Sequence, residues 1–192
     1  MTVTKRRETL ETQIELTLDK SENNAVQKSK LKIGVPFFEH MLTAFFFYSD
    51  LSATVQCVGD LEIDPHHTLE DLGIVLGEAV YELARRLTGY ERYASNYLPM
   101  DDALVRTVLD ISGRPYFQLE GLPLWELTAL EQSMVEFMRS FAINARLTVH
   151  MDVIRGHNRH HIFEALFKSF GKALGNALEP KNQVMSTKGC IG

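Results

Sequence analysis

Apolar and polar residues alternate over residues 10–18 (LETQIELTL), a period of two that predicts a half-buried strand. The period changes at Pro36. Residues 36–49 (PFFEHMLTAFFFYS) open with proline at a first-turn position and read as a helix. A strand is predicted over 52–58, then an amphipathic helix over 66–88 with Leu72, Val75, Leu76, Ala79, Val80 and Leu83 inward. The same order follows again: strands near 104–111 and 115–120, a helix near 127–144, a strand at 146–153, and a helix from 160 to about 178. Gly113-Arg114-Pro115 suits the turn between two of these strands. The polar stretch 19–30 (DKSENNAVQKSK) reads as a mobile surface loop.

This recurrence is an internal repeat. His66-His67-Thr-Leu-Glu70 aligns with His160-His161-Ile-Phe-Glu164 at an offset of 94 residues, and Gly77 and Ala79 recur as Gly171 and Ala173. Ala53-Thr54-Val55-Gln56 matches Leu147-Thr148-Val149-His150 at the same offset. Farther upstream, Ile14–Asp19 matches Arg106–Asp110 with a drifting register. No Pro/Gly/Ser-rich linker separates the copies. The expectation is therefore an α+β fold of two tandem similar halves, residues 1–93 and 94–192. Each half is an antiparallel or mixed β-sheet with two helices packed on one face.

Composition narrows the function. Over 192 residues the net charge is −5, so nothing resembles the basic stripe that nucleic acid requires. The basic N-terminal residues have no apolar stretch behind them, and the run around Phe45-Phe46-Phe47 is far too short to span a bilayer. Cys57 and Cys190 form neither a zinc spacing nor a disulfide framework, and read as a buried thiol and a tail thiol. These features predict a cytoplasmic protein with no nucleic-acid or membrane partner.

Four of the seven histidines stand in two adjacent pairs, each at the start of a helix. Residues i and i+4 share a helix face, so His66 with Glu70, and His160 with Glu164, can each grip one cation. His67 and His161 point about 100° away, which suits a second cation. One such pair is commonly a surface feature, but a duplicated His-His-x-x-Glu is much harder to reach by chance. Mixed imidazole and carboxylate donors favour Mn, Fe or Zn over magnesium or calcium. Further donors come from the preceding helices: His40 and Glu136 stand 26 and 24 residues before the histidine pairs. His150 reads as structural and His157 as an ordinary loop residue.

Ser186-Thr187-Lys188-Gly189 gathers hydroxyls, an ammonium and a flexible backbone, a set suited to phosphate, although a polar C-terminus would look the same. Lys168, one turn after Glu164, can face a ligand or pair with Glu164 itself. Arg92 and Arg114 are further anion candidates.

Six ordered blocks then carry a resemblance. They are Phe38-Glu39-His40-Met41-Leu42; Gly59-Asp60 with Asp64-Pro65-His66-His67-Thr68-Leu69-Glu70-Asp71; Pro99-Met100-Asp101-Asp102-Ala103-Leu104; Leu109-Asp110-Ile111-Ser112-Gly113-Arg114-Pro115-Tyr116; His160-His161-Ile162-Phe163-Glu164-Ala165-Leu166-Phe167-Lys168; and Ser186-Thr187-Lys188-Gly189. Over nearly its whole length the chain resembles the imidazoleglycerol-phosphate dehydratase family. The resemblance implies a hydro-lyase of histidine biosynthesis that forms imidazole-acetol phosphate and uses two Mn(II) ions per subunit. It implies His40, His66, His67, Glu70, Glu136, His160, His161 and Glu164 as metal ligands. Substrate contacts would be Glu11, His40, Tyr48, Arg92, Arg114, Lys168, Ser186 and Lys188, with Glu11, Glu70 and Glu164 as acid/base candidates. The implied assembly is a 24-subunit shell built from trimers, with sites shared between subunits. Ala44 and Tyr48 depart from the family pattern, which often has Gln and His there. A dinuclear metal phosphoesterase and a non-catalytic metal-binding shell are the competing readings of the same ligands.

Overall fold

The structure is a computed structural model, and it describes residues 1–20, 28–183 and 185–186. Two four-stranded sheets and four helices make an α+β fold in two similar halves. The first half holds β1 (Thr2–Glu8), β2 (Thr12–Lys20), β3 (Lys30–Lys32), α1 (Pro36–Ser49), β4 (Leu51–Gly59) and α2 (His66–Arg86). The second holds β5 (Tyr93–Met100), β6 (Ala103–Asp110), β7 (Tyr116–Glu120), α3 (Ala129–Asn144), β8 (Thr148–Arg155) and α4 (Arg159–Ala177). The strand orders are β1-β2-β4-β3 and β5-β6-β8-β7. Only β3 on β4 and β7 on β8 are parallel, each joined by one crossover helix, α1 or α3.

Alternation explains the inward faces. Ile14, Leu16 and Leu18 of β2 are buried, and they stand opposite Cys57, Val55 and Ala53 of β4. In the second sheet Leu109 faces Val149 and Val105 faces Val153. Leu16 and Leu109 are thus equivalent at an offset of 93, while Val55 and Val149 keep 94. The drift upstream in the repeat is one residue.

Helix ends follow local chemistry. Thr128 caps α3 in a reciprocal box with Glu131, so the helix begins at Ala129, two residues after the predicted start, and Leu124–Glu126 form a short 3₁₀ turn before it. Asp64 Oδ1 accepts from His66 N at 2.7 Å, and Asn158 Oδ1 accepts from His160 N at 2.9 Å. In each first turn a side-chain oxygen thus holds the N–H of the leading histidine, from the N-cap Asn158 in α4 and from the residue before Pro65 in α2.

Three strands escape a reading by periodicity. β1 buries only Val3, β3 has three residues, and β5 is half-buried along its length. All three lie at sheet edges, where ladder bonds replace a buried face. Of the predicted loop over 19–30, Asp19 and Lys20 instead extend β2, paired to Ser52 and Leu51, and Lys30 opens β3. Residues 21–27 lie outside the described residues.

The helices meet across the halves. At Gly171 and Gly175 of α4, an added Cβ would lie 2.3 Å from Phe45 O and 2.7 Å from Ser49 O of α1. At Gly73 and Gly77 of α2 it would lie 2.7 Å from Phe137 O and 2.6 Å from Phe141 O of α3. Glycine lets each pair of backbones touch where any side chain would separate them. Phe38 against Phe137 (4.9 Å between ring centres) and Phe45 against Phe141 (5.6 Å) fill the space between the pairs, so one core joins both sheets.

Candidate metal and substrate site

The α1–α4 crossing sets His40 beside the second motif. His160 Nε2 is 2.9 Å, and His40 Nε2 3.6 Å, from Glu164 Oε2. One donor atom from each of the three lies within 4.8 Å of the others, the one such His/Cys/Asp/Glu group among the described residues. The donors fit a divalent transition metal: two imidazole nitrogens and a carboxylate oxygen converge on one small volume. Glu164 divides its oxygens, for Oε1 accepts from Lys168 Nζ at 2.6 Å. That nitrogen also lies 5.7 Å from the centre of the Tyr48 ring. Burial alone would raise the Glu164 carboxyl, but Lys168, then His160 and His40, outweigh it and hold the group below its ordinary value.

The α2–α3 crossing builds a second, looser group. His66 Nε2 is 3.5 Å from Glu70 Oε2, while Glu136 reaches in from α3 and interacts with His66. Arg139 Nε reaches the Glu136 oxygens at 3.0 and 2.9 Å, and Ser140 Oγ donates to Oε1 at 3.2 Å. Arg139 also feels Glu70. Burial would raise the Glu136 carboxyl, and Arg139, with Ser140 and His66, more than reverses this. Each group thus carries its own cation, but on a different helix: Lys168 on the motif helix in one, Arg139 on the crossing helix in the other.

His67 and His161 turn away, as their place on the helix requires. His67 Nδ1 is 2.9 Å from Asp60 Oδ2 and 3.7 Å from Glu11 Oε2. The Asp60 hydrogen bond, against partial desolvation, raises the His67 pKa. His161 Nδ1 is 2.5 Å from Asp102 Oδ1, and its Nε2 is 3.4 Å from Asp101 Oδ2. Asp102 Oδ2 accepts from His157 N at 2.5 Å and Asn158 N at 3.0 Å, and this set, His161 foremost, holds the carboxyl far below the usual range. Sequence reasoning gave Asp60, Asp101, Asp102 and Arg139 no role. Only the i, i+3 spacing of Glu136 and Arg139 offered a local signal.

Glu11 stands at the β1–β2 turn, tied to the motif helix. Thr12 Oγ1 donates to Asp71 Oδ2 at 2.5 Å, and Arg7 Nε lies 2.9 Å from Asp71 Oδ1. The remaining anion candidates lie elsewhere. Arg92 clasps Asp110 through Nε and Nη2 (2.8 and 3.2 Å) and donates from Nη1 to Met185 O at 2.8 Å, next to Ser186. Arg114 sits in the β6–β7 turn, with Nη1 donating to Ser112 O at 3.3 Å. Among the described residues, neither arginine is bonded to the His–Glu groups. Lys188 lies outside the described residues. His150 is exposed, its ring 5.3 Å from Tyr116. Among the described residues no helix is long and apolar enough to cross a membrane.

Comparison with known proteins gives one answer throughout. The family model for imidazoleglycerol-phosphate dehydratase matches residues 33–174. The chain is 45% identical over 190 residues to the imidazoleglycerol-phosphate dehydratase of Staphylococcus epidermidis, covering 97% of each. It is 43% identical over 199 residues to that of Staphylococcus carnosus, covering 100% of each. The crystal structure of the enzyme from Staphylococcus aureus superposes with a TM-score of 0.82 at 40% identity, over 94% of this chain and 100% of that one. The structure of the enzyme from Pyrococcus furiosus gives 0.80 at 36%, over 96% and 99%.

Proposed function

Since the chain belongs to the imidazoleglycerol-phosphate dehydratase family, hydro-lyases of histidine biosynthesis, we propose that it dehydrates D-erythro-imidazole-glycerol phosphate to imidazole-acetol phosphate with two Mn(II) ions per subunit. His40, His160 and Glu164 would hold one ion, and His66, Glu70 and Glu136 the other. The observation that carries this reading is the convergence of His40 with His160 and Glu164 within 4.8 Å, from helices of opposite halves. His67 and His161 face away from both groups, so each can complete a centre of a neighbouring subunit. Three donors leave a first-row ion open positions, which those histidines of a neighbouring subunit would fill in the trimer-based 24-subunit shell we propose.

A bound ion would supply Lewis-acid polarisation of the substrate's imidazole. The protein's own part is proton transfer and anchoring. A carboxylate must take the side-chain proton, and a proton must accompany the departing hydroxyl. Glu164 is committed to Lys168 and His160, which makes it a poor base. Glu11, half-exposed at a hairpin tip beside His67, is the carboxylate with freedom to move a proton. Phosphate falls to Ser186, Lys188, Arg114 and Tyr48. Arg92 fixes the tail that carries two of these, since it holds Met185 O.

Product analysis tests the reaction. Loss of water with an ultraviolet-absorbing ketone is expected, whereas release of inorganic phosphate would establish the phosphoesterase reading instead. Metal analysis of His66→Ala and His160→Ala tests the centres, and full Mn(II) occupancy in both would overturn the ligand set.

A further inference from the structure

We propose that Asp60 and Asp102 are positioning residues that hold the Nδ1–H of His67 and His161, so that each ring presents an unprotonated Nε2 outward as a metal donor. This rests on the metal reading of those two histidines. A neutral imidazole has one N–H and one lone pair, and the partner of one nitrogen decides the state of the other. Asp102 gives the better-defined case. Its Oδ2 accepts two backbone N–H groups, from His157 and Asn158, and its Oδ1 faces His161 Nδ1 at 2.5 Å. A carboxylate only accepts, so Nδ1 carries a proton, and in the neutral ring the lone pair then falls on Nε2, which stands 3.4 Å from Asp101 Oδ2. Asp60 meets His67 Nδ1 in the same way at 2.9 Å.

The two acids do not descend from the repeat. Asp60 follows β4, and the residue 94 positions later is Ile154, an exposed residue of β8. Asp102 lies in the β5–β6 turn, and the residue 93 positions earlier, the local offset, is Thr9 in the β1–β2 turn. The duplicated helices thus receive their nearest carboxylate on the same ring nitrogen from two different places in the fold, with Glu11 of the β1–β2 turn a second, longer contact at 3.7 Å from His67 Nδ1. Asp60 also meets His67 at a cost: its Oδ1 is buried with no hydrogen-bond partner among the described residues.

Three measurements test the assignment. Solid-state 15N spectra of histidine-labelled, metal-stripped protein, assigned with His67→Gln and His161→Gln, report the tautomers. The wild type should show Nδ1–H at both rings. In Asp102→Asn, the two backbone donors keep the amide oxygen on their side and turn the NH2 toward His161 Nδ1, so that ring should switch to Nε2–H. Mn(II) titration followed by electron paramagnetic resonance should then show one class of ions weakened about 10- to 100-fold and the other unchanged. Asp60→Ala should weaken the opposite class, and the metal-free proteins should melt within a few degrees of wild type. Nε2–H tautomers in the wild type, or wild-type affinity for both ions in both variants, would overturn the proposal. A wild type that takes up no Mn(II) would overturn the metal reading instead, and the spectra would still decide whether the acids fix the rings.

Discussion

A methyl group at Gly171 would test whether the closeness of α1 and α4 sets the metal geometry. An alanine Cβ there would stand 2.3 Å from Phe45 O and 3.0 Å from Phe45 C and Cα. Ordinary contact between such atoms needs about 3.3 Å or more, so α1 must retreat by about 1 Å. Backbone atoms in mid-helix cannot rotate aside, so the cost falls in the upper part of the overpacking range, about 2–3 kcal/mol. Replacing a glycine in a helix interior returns about 0.8–1 kcal/mol, which leaves a net loss of about 1–2 kcal/mol. His40 lies five residues before Phe45, about 7.5 Å along α1, and shares in the retreat. Metal–ligand distances tolerate only about 0.2 Å, so the His40–His160–Glu164 centre should lose affinity while the α2–α3 centre keeps it. Urea unfolding of metal-free Gly171→Ala reads the first effect, and Mn(II) titration reads the second. Gly77→Ala, with its contact at 2.6 Å to Phe141 O, should reverse which centre suffers. A Gly171→Ala protein as stable as wild type, with both Mn(II) affinities intact, would refute the reasoning.

Three other outcomes are expected. Burial, helped by nearby Asp71, pushes the Cys57 thiol up to about 12; in a Cys190→Ser background it should react with an aromatic disulfide reagent at pH 8 about a thousand-fold more slowly than a free cysteine. Because the folded state then binds this proton more tightly, the associated stability is complete below the unfolded value near 8.5 and is lost as pH rises toward 12, which urea midpoints between pH 8 and 11 should follow. In the proposed shell, removal of metal by a chelator should give smaller units, and Mn(II) at neutral pH should restore the full mass; a metal-free protein that keeps its full mass in dilute sedimentation would exclude metal as the link between subunits.

The histidine pairs, their glutamates and the four helices were legible because each depends on local chemistry. Helical spacing puts His66 with Glu70 and His160 with Glu164 whatever the rest of the chain does. Proline at Pro36, and alternation through Ile14, Leu16 and Leu18, mark elements in the same local way. Edge strands β1, β3 and β5 were not legible, because their order comes from neighbours in a ladder rather than from a face of their own. His40 shows the limit most clearly. It is 26 residues from His66 in its own half, yet it stands beside His160 and Glu164 of the other. That choice belongs to helix crossing: glycines at 171 and 175 bring α1 onto α4, and those at 73 and 77 bring α3 onto α2, but a glycine on one helix does not name the helix that it will meet. Helix spacing offered Lys168 to Glu164 and Arg139 to Glu136, while the clasp of Arg92 on Asp110, from a separate element, was fixed at the tertiary level. A charge on a helix or in a turn has many partners within reach, and only packing selects one. The sequence by itself determined which candidate donors share a helix face; the tertiary structure decided which of them meet, because close approach of backbones is a property of pairs of helices.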